Sequence, residues 1–374
     1  MNTFSSLNLL ATLQKTLDEK GLVKPTEIQS RAMPVLLSGK TVVGVSETGS
    51  GKTLAYALPV LHLLKVLENE GQPISVESQP RAAVIVPTRE LGEQVSRVFK
   101  PFTHTTRLRV RTVFGGTALE VAKRNIKGKF EILVATPGRL VQLMDRKLIS
   151  LSDVRILVFD EADQMLDQGF LPAATRVAED CPSNRQLALF SATVSPAVQE
   201  LMSKLFIGTE IIRTQGSHRL VPTLTTVNRT VVDGKRFPVL EKILEKPVTG
   251  GTLIFTNTRE QCDKLTKLLI AKGFKCLLYR GEMDKVERRR NLKAFREGKI
   301  DLLISTDLAS RGLDVDHVGR VINYHLPRET KSYIHRVGRT ARAGRAGQVI
   351  NLVTERDAPL VAKLGSVKAG PKIE

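Results

Sequence analysis

The residues of this sequence best suited to chemistry lie in the stretch Ser46–Thr53, which reads Ser-Glu-Thr-Gly-Ser-Gly-Lys-Thr. The apolar run Val42–Val45 precedes it and the mostly apolar residues 54–58 follow it, a pattern that predicts a strand, a glycine loop and a helix. Such a loop surrounds a triphosphate with backbone N–H groups, and the N-terminus of its helix faces the negative charge. The stretch therefore predicts a nucleotide site.

The positions of this loop have distinct predicted roles. Lys52 is expected to reach the β- and γ-phosphates, and Thr53 is expected to offer its hydroxyl to Mg²⁺. The general pattern has glycine where this chain has Ser46, and the alternative interpretation is a flexible glycine turn without a ligand. The Gly-Lys-Thr ending between a strand and a helix favours the nucleotide. The remaining phosphate-binding residues are predicted to be Thr48, Gly49, Ser50 and Gly51.

A pair of carboxylates follows a second apolar run, Ile156–Phe159. Asp160 is placed to hold Mg²⁺ through water, and Glu161 is placed to orient or deprotonate the attacking water. In isolation, an Asp-Glu pair at a strand end is often only the start of a helix. Downstream of a phosphate loop, the pair predicts the residues that bind the metal ion and orient the attacking water in phosphoryl transfer.

The length and composition suit a globular protein with two cores. The chain has 374 residues, of which 41% are hydrophobic and 25% are charged, enough for two domains of ordinary size. Its apolar runs are shorter than a membrane span, and its first residues lack the pattern of a secretory signal. The three cysteines are far apart and have no metal-ligand spacing, so we expect reduced thiols and no structural zinc. The expected location is the cytoplasm.

The net charge of +19 suggests a polyanionic partner, although a solvated basic surface is an equally good interpretation of charge alone. The excess is concentrated in the second half, since residues 211–374 carry 32 Lys and Arg against 17 Asp and Glu.

Apolar runs without polar alternation recur along the chain and are separated by helical patterns, which predicts parallel sheets covered on both faces. The pattern is interrupted by a short polar segment near residues 213–222, which we interpret as a linker. We therefore expect two doubly wound α/β domains, residues 1–212 and 223–374, with ligands beyond the carboxyl ends of the strands. The runs predicted as strands are Val42–Val45, Ala82–Val86, Val110–Val113, Ile132–Val134, Ile156–Phe159, Leu187–Phe190, Thr225–Val232, Leu253–Phe255, Lys275–Tyr279, Leu302–Ser305, Val318–Asn323 and Gly347–Val353.

The residues Asp160–Asp163 spell Asp-Glu-Ala-Asp, and the chain resembles the DEAD-box ATP-dependent RNA helicases from Phe4 to about Arg345. The resemblance is to a minimal two-domain core of bacterial type, and it implies two tandem RecA-like domains. The N-terminal domain would bind ATP and the C-terminal one would be the helicase domain. The other motifs that carry the resemblance, in family order, are Pro87–Leu91, Gly115-Gly116, Thr136–Arg139, Ser191–Thr193, Ser305–Asp314 and His335–Arg345.

The resemblance implies an adenine-reading segment, Gly21–Gln29, together with the upstream aromatic residue Phe4. A Gln29 amide can accept from the adenine N6 amine and donate to N7, and a Phe ring can stack on a base. Without the resemblance, Gln29 would be taken for an ordinary surface residue. Leu22 stands where the family usually has an aromatic residue, a change expected to affect packing only. The ATP-binding residues implied by this segment are Phe4, Pro25, Thr26 and Gln29.

The resemblance also implies RNA contacts, made mainly to the sugar-phosphate backbone. Aromatic residues are scarce at 5% and there is no Trp, so we expect sequence-tolerant binding without extensive base stacking. Backbone N–H groups at Gly115 and Gly116 can approach phosphates that a β-carbon would keep away. The RNA-binding residues implied are Thr88, Arg89, Gly115, Gly116, Thr136, Arg139, Arg288 and Thr306.

By resemblance, the second domain supplies arginine fingers to the γ-phosphate, Arg339 and Arg342, and Asp314 holds the ribose. Interdomain coupling is expected from His335 and Arg336, contacting the 160–163 motif and the motif that contains Ser191 and Thr193. Without the first domain, the basic run 335–345 would more simply be a phosphate-binding or solvated segment. Ala341 replaces the usual glycine, a change expected to be tolerated unless the backbone requires a positive φ.

The leading hypothesis is an RNA-stimulated ATPase, acting as a monomer, that unwinds short RNA duplexes or remodels RNA–protein complexes with ATP and Mg²⁺. An ATP-gated RNA clamp or assembly scaffold would use the same residues. A DNA-translocating ATPase would fit the phosphate loop but not Gln29 or the Thr136–Arg139 motif. Stimulation by RNA rather than DNA, and release of a duplex strand, would separate the three.

Overall fold

The computed structural model describes residues 3–47, 49–214, 224–307, 317–341 and 346–365. The chain divides into two compact units, Met1–Ser217 and His218–Glu374. This division falls within the segment 213–222 that the sequence assigns to a linker. Most of that segment lies outside the described residues, so the linker stays a prediction. Three predicted site residues, Thr48, Asp314 and Arg342, also lie outside them.

In its described residues, the first unit alternates strands with helices. Its strands are β1 (Val42–Val45), β2 (Ala82–Ile85), β3 (Val110–Val113), β4 (Ile132–Ala135), β5 (Ile156–Phe159), β6 (Gln186–Ser191) and β7 (Ile211–Arg213). Its helices are α1 (Ala11–Glu19), α2 (Glu27–Leu37), α3 (Lys52–Asn69), α4 (Arg89–Thr106), α5 (Leu119–Asn125), α6 (Pro137–Asp145), α7 (Ala162–Asp167), α8 (Leu171–Glu179) and α9 (Pro196–Leu205), after a 3₁₀ turn at Phe4–Leu7.

The strands of the first unit form one parallel sheet in the order β3-β4-β2-β5-β6-β1-β7. Successive residues of a strand pack into different cores, because side chains alternate across a sheet. Val42 lies in one apolar cluster, whereas Val43 and Val45 lie in the other. Both faces are therefore covered by helices, which explains why the strand sequences show no polar alternation.

The second unit repeats this architecture in its described residues. Its strands are β8 (Leu224–Thr230), β9 (Gly251–Thr256), β10 (Cys276–Tyr279), β11 (Leu302–Thr306), β12 (Val318–Asn323) and β13 (Gly347–Val353). Its helices are α10 (Arg236–Leu244), α11 (Arg259–Ala271), α12 (Lys285–Arg296), α13 (Thr330–Val337) and α14 (Ala358–Gly365), with 3₁₀ turns at Val232–Gly234 and Glu355–Asp357.

These strands pair in parallel in the order β10-β11-β9-β12-β13-β8. Leu253 and Phe255 face one apolar cluster and Ile254 faces the other, so this sheet is also covered on both faces. The predicted pair of doubly wound α/β domains is confirmed, and each of the twelve predicted apolar runs overlaps a strand.

The strand β7 was not among the predicted strands, and its last residue, Arg213, falls in the segment 213–222 that was interpreted as a linker. Val43 pairs with Ile211 and Val45 with Arg213, so these residues form an edge strand of the first sheet. Only the middle residue of β7 is buried. A three-residue strand at a sheet edge is too short to produce a recognisable pattern.

The three cysteines, Cys181, Cys262 and Cys276, are free and buried. Burial raises the pKa of the Cys181 and Cys262 thiols to about 12 and that of Cys276 to about 11. The thiols are therefore held in their protonated form at neutral pH. Separately, none of the helices among the described residues combines the length and apolar character needed to cross a bilayer.

Candidate functional site

The phosphate loop joins β1 to α3, and glycine permits its tight path. Gly51 has φ of 90°, in the left-handed region, and a β-carbon there would lie 2.3 Å from the side-chain nitrogen of Gln29. Ser46 and Ser50 are linked through their hydroxyls at 2.6 Å, and the Ser50 hydroxyl also donates to the carbonyl of Glu47. The serine that replaces the usual first glycine thus helps to hold the loop together.

Lys52 lies inside this loop and is buried. Its Nζ donates to the carbonyls of Ser46 and Glu47 at 2.8 and 3.0 Å, and lies 3.3 Å from Oε1 of Glu161. The structure therefore brings the two motifs predicted to handle phosphate and water to the same place. This follows from the topology, because β1 and β5 flank β6 and all three strands end at the same edge.

Asp160 is 1% exposed, and both of its carboxylate oxygens accept hydrogen bonds. The N–H of Glu161 donates to Oδ1 at 2.9 Å, and the hydroxyl of Tyr56 donates to Oδ2 at 2.7 Å. Burial is the main cause that raises the pKa of Asp160 to about 6, with a further rise from Glu161 and an opposing effect from Lys52. A nearby cation would favour the ionised form of this carboxylate.

The residues present suit Mg²⁺, which takes oxygen ligands and is often held by one or two protein groups together with phosphate oxygens. Thr53 and Asp160 supply a hydroxyl and a carboxylate, and the carboxylate accepts from the hydroxyl of Tyr56, which follows Thr53 by one turn of α3. Both residues therefore lie beside the phosphate loop. Sequence reasoning missed Tyr56, whose only signal was a polar group within an otherwise apolar helical pattern.

Glu161 begins α7 with a left-handed backbone, at φ of 48°. For a residue other than glycine this conformation carries a cost of order 1 kcal/mol, and it directs the Glu161 side chain to Lys52. The strain is thus located at the carboxylate that the sequence assigns to the attacking water.

Asp163, the last acidic residue of its motif, connects α7 to the end of β6. Its Oδ2 accepts from the N–H and the hydroxyl of Thr193 at 3.1 and 2.8 Å, and its own N–H donates to the Ser191 hydroxyl at 3.2 Å. Ser191 also accepts, through its carbonyl, the N–H of Ser46. Ser191 and Thr193 therefore link the carboxylate motif to the phosphate loop within the first unit.

Gln29 is buried at the start of α2 and contacts the phosphate loop. Its Oε1 accepts from the N–H of Thr26 at 2.9 Å, and its Nε2 donates to the carbonyl of Gly51 at 3.1 Å. After these two bonds the Gln29 amide retains one N–H and one lone pair. These are the donor and the acceptor that recognition of adenine N7 and N6 requires. Pro25, half-buried, precedes it, and its contact with ATP stays a prediction.

The burial of Phe4 conflicts with its predicted stacking on a base. The ring of Phe4 is 1% exposed and packs in the core of the first unit, and its N–H donates to the carbonyl of Val23. A ring without an exposed face cannot stack on a nucleotide. Leu22 and Val23, at 37% and 57% exposure, are the accessible apolar side chains of the adjoining segment. Phe4 therefore attaches this segment to the core, through its buried ring and its hydrogen bond to Val23.

Substitution of Gln29 by alanine should weaken ATP binding by roughly tenfold or more, because it also leaves the Gly51 carbonyl and the Thr26 N–H without their partner. RNA binding without nucleotide should persist. Fluorescence titration with an ATP analogue measures the effect. Gln14→Ala, which removes an amide bonded only locally to Asp18, is the control. Equal use of GTP and ATP by the unsubstituted protein would contradict the adenine assignment.

The predicted RNA residues of the first unit meet at one edge of the sheet. The strands β3, β4 and β2 are neighbours, and Gly115, Thr136 and Thr88 follow their respective carboxyl ends. Thr88 caps α4 by accepting the N–H of Leu91, and Arg89 forms a 2.8 Å ion pair with Glu93. Gly116, at φ of 77°, occupies the left-handed region that favours glycine.

Two details of this edge bear on its chemistry. The N–H of Gly115 donates to the Thr136 hydroxyl at 2.9 Å, so the predicted use of this N–H for a phosphate conflicts with the observed bond. Arg139 donates from Nη2 to the carbonyl of Thr117 at 2.6 Å, while its buried Nη1 has no hydrogen-bond partner among the described residues. A buried donor without a partner is uncommon, and here it suits an anionic ligand.

The predicted residues of the second unit fall at the carboxyl ends of its strands and on the helices that follow. Arg288 on α12 lies over the ring of Tyr279, 4.9 Å from its centroid, and donates to the Tyr279 hydroxyl. Thr306 ends β11 and is buried. His335 lies on α13, and its carbonyl accepts from Nε of Arg339 at 3.1 Å. A role for Arg339 at a phosphate stays a prediction.

Arg336 requires a correction, because its side chain is 1% exposed and is bonded throughout within the second unit. Its guanidinium donates to both carboxylate oxygens of Asp307, to the side chains of Asn257 and Asn323, and to the carbonyl of His325. These bonds occupy the guanidinium N–H groups that the sequence interpretation assigned to contacts with motifs of the first domain. Arg336 instead fixes Asp307 against α13.

Ala341 meets the condition under which the sequence interpretation expected a cost, since it adopts φ of 55° and is buried. The backbone here requires the conformation that glycine adopts without strain, so alanine costs about 1 kcal/mol at this position. The substitution is tolerated within the fold but is not neutral.

Comparison with known proteins gives matches in both units. Residues 26–201 match the family model of the DEAD/DEAH box helicase, and residues 235–344 match that of the helicase conserved C-terminal domain. The chain is 35% identical, over 97% of its length, to the ATP-dependent RNA helicase DeaD of Buchnera aphidicola, of which it covers 59%. It is 36% identical, over 94% of its length, to the DEAD-box ATP-dependent RNA helicase RhpA of Helicobacter pylori, of which it covers 70%.

A likeness to solved structures accompanies these matches. The structure of S. cerevisiae Dbp5 bound to RNA and ADP BeF3 is 29% identical in sequence, with a TM-score of 0.86, covering 100% of this chain and 95% of that one. A DEAD box protein from the hyperthermophile Methanococcus jannaschii is 30% identical, with a TM-score of 0.56 and coverage of 98% and 97%. The predicted tandem RecA-like fold is confirmed by this likeness.

Proposed function

Because the chain belongs to the DEAD-box helicase family, we propose that it is an RNA-stimulated ATPase that uses ATP to unwind short RNA duplexes or to remodel RNA–protein complexes. The observation that carries the proposal is the contact of Lys52 with Glu161, which joins the phosphate loop to the water-orienting carboxylate. The chain spans 59% of the DeaD relative, so the activity is proposed for the two domains present in this sequence.

In the proposed reaction, Lys52 exchanges its carbonyl partners for the β- and γ-phosphates. Glu161 then turns from Lys52 to the attacking water, which it orients towards the γ-phosphate. Mg²⁺, held by Thr53 and Asp160 together with ATP, would neutralise charge on the phosphates. Because burial and Glu161 raise the pKa of Asp160 to about 6, a bound cation would favour its ionised form.

The RNA backbone is proposed to bind at the edge formed by the ends of β2, β3 and β4 and, in the second unit, near Arg288 and Thr306. Arg139 provides a buried donor at this edge, and binding through phosphates requires no base sequence. The bonds of Asp163 with Thr193 and Ser191 join the carboxylate motif to the end of β6, and the proposed coupling of ATP to RNA includes these residues.

The second unit is proposed to complete the ATP site when the two domains close on both ligands. Arg339 and Arg342 then contact the γ-phosphate, Asp314 contacts the ribose, and His335 contributes to coupling. An always-charged planar donor suits the charge spread over a transferring phosphoryl group. We further propose that the protein acts as a monomer in the cytoplasm.

The proposal predicts that single-stranded RNA raises the rate of ATP hydrolysis at least tenfold and that single-stranded DNA of the same sequence does not. A coupled assay of phosphate release measures both rates. Release of a labelled strand from a short RNA duplex should require ATP. ATPase stimulation without strand release would favour an ATP-gated clamp, and equal stimulation by DNA would contradict the assignment to RNA.

A further inference from the structure

The hydroxyl of Tyr56 contacts Asp160, one of the two residues that the proposed function assigns to Mg²⁺. Tyr56 follows Thr53 by three residues in α3, so both side chains lie on the same face of the helix. The hydroxyl donates to Oδ2 of Asp160 at 2.7 Å. It therefore connects α3, the helix that follows the phosphate loop, with Asp160, the residue that follows β5.

The ring of Tyr56 has little freedom to move. The residue is 0% exposed, and its ring lies 5.4 Å from that of Phe190 on β6 and 6.4 Å from that of Phe99 on α4. Close packing on a strand and on a neighbouring helix fixes the direction of the ring. The hydroxyl is consequently held at a set position relative to the end of β5, independently of any ligand.

This position determines the orientation of the Asp160 carboxylate. With Oδ1 held by the Glu161 N–H and Oδ2 by Tyr56, the carboxylate of this residue, which is 1% exposed, cannot rotate without losing a bond. A buried carboxylate that loses a donor bears the full cost of its desolvation. Tyr56 therefore contributes the donor that keeps an ionised Asp160 in one orientation.

We propose that Tyr56 is a positioning residue for metal-bound nucleotide, which acts by orienting Asp160 through its hydroxyl. A phenylalanine at this position would keep the packing on Phe99 and Phe190 but would not supply the hydrogen bond to Asp160. The inference rests on the proposed function, because it concerns the same nucleotide site. It attributes part of the Mg²⁺-dependent gain in nucleotide affinity to Tyr56, a residue outside the recognised motifs.

The test compares Tyr56→Phe with the unsubstituted full chain in equilibrium binding of a fluorescent ADP analogue, with Mg²⁺ and with EDTA. We expect the gain in affinity on adding Mg²⁺ to fall by about tenfold in the variant, since one hydrogen bond to a charged group is lost. The affinity in EDTA and the melting temperature without nucleotide should stay close to those of the unsubstituted protein. Half-saturation of ATPase activity should also need more Mg²⁺.

A matched control is Tyr333→Phe, which removes a buried tyrosine hydroxyl in the second unit that accepts from Asn351. It should leave the Mg²⁺-dependent gain unchanged. An unchanged gain in Tyr56→Phe, or an equal loss of affinity with Mg²⁺ and with EDTA, would overturn the inference. Absence of any Mg²⁺-dependent binding in the unsubstituted protein would instead count against the proposed function.

Discussion

Replacement of Lys52 by alanine should reduce ATP hydrolysis to the background rate. Lys52 is the only cation in the stretch Ser46–Thr53, and phosphoryl transfer depends on stabilising charge at the β- and γ-phosphates. Alanine would also leave two loop carbonyls without their donor and Glu161 without its cation. Phosphate release in the presence of saturating RNA measures the loss.

The matched control for this variant is Lys65→Ala on the same helix, where the lysine forms only a local 3.0 Å ion pair with Glu68. Its hydrolysis rate should remain normal. A circular-dichroism melt of both variants would show whether the loop substitution disturbs the fold. Near-normal turnover by Lys52→Ala would contradict the assignment of the phosphate site.

Substitution of Arg339 by lysine should lower RNA-stimulated hydrolysis by roughly 10³-fold, because lysine keeps the charge but lacks the planar fork that an arginine finger presents to phosphoryl oxygens. Nucleotide and RNA binding should change far less. Single-turnover hydrolysis, measured beside equilibrium binding, separates the two effects. Arg356→Lys, an exposed arginine of the same unit, is the control.

The same variant tests whether domain closure depends on RNA. With fluorophores on the two units, energy transfer should rise only when RNA and a non-hydrolysable ATP analogue are both present. In Arg339→Lys this rise should persist while hydrolysis is lost. A rise with nucleotide alone, or no rise at all, would be incompatible with RNA-gated closure.

The sequence was sufficient for most of the fold because strands buried on both faces are continuous apolar runs. Val42–Val45 and Ile156–Phe159 were predicted to the residue, since each is bounded by polar or turn-forming positions. The exception was β7, whose three residues include a single buried side chain. Such a strand exists because β1 offers it a partner, which is a tertiary effect.

The nucleotide site was predictable where the motif itself dictates local geometry, as at Lys52 and Glu161. It was not predictable where a side chain could serve either the core or a ligand. Phe4 could be assigned to a base or to the interior, and only packing places it in the interior. Tyr56 and Arg336 show the same limit for polar groups, since their buried partners come from distant parts of the chain.

The burial of Cys181, Cys262 and Cys276 has a practical consequence for optical experiments on this protein. Maleimide reagents attack the thiolate, and burial both shields these sulfurs and keeps them protonated at neutral pH. A cysteine introduced at an exposed position should therefore react with dye much faster than the native ones. The chain can be labelled at chosen sites without first replacing its own cysteines, so the measurements report on the unaltered interior.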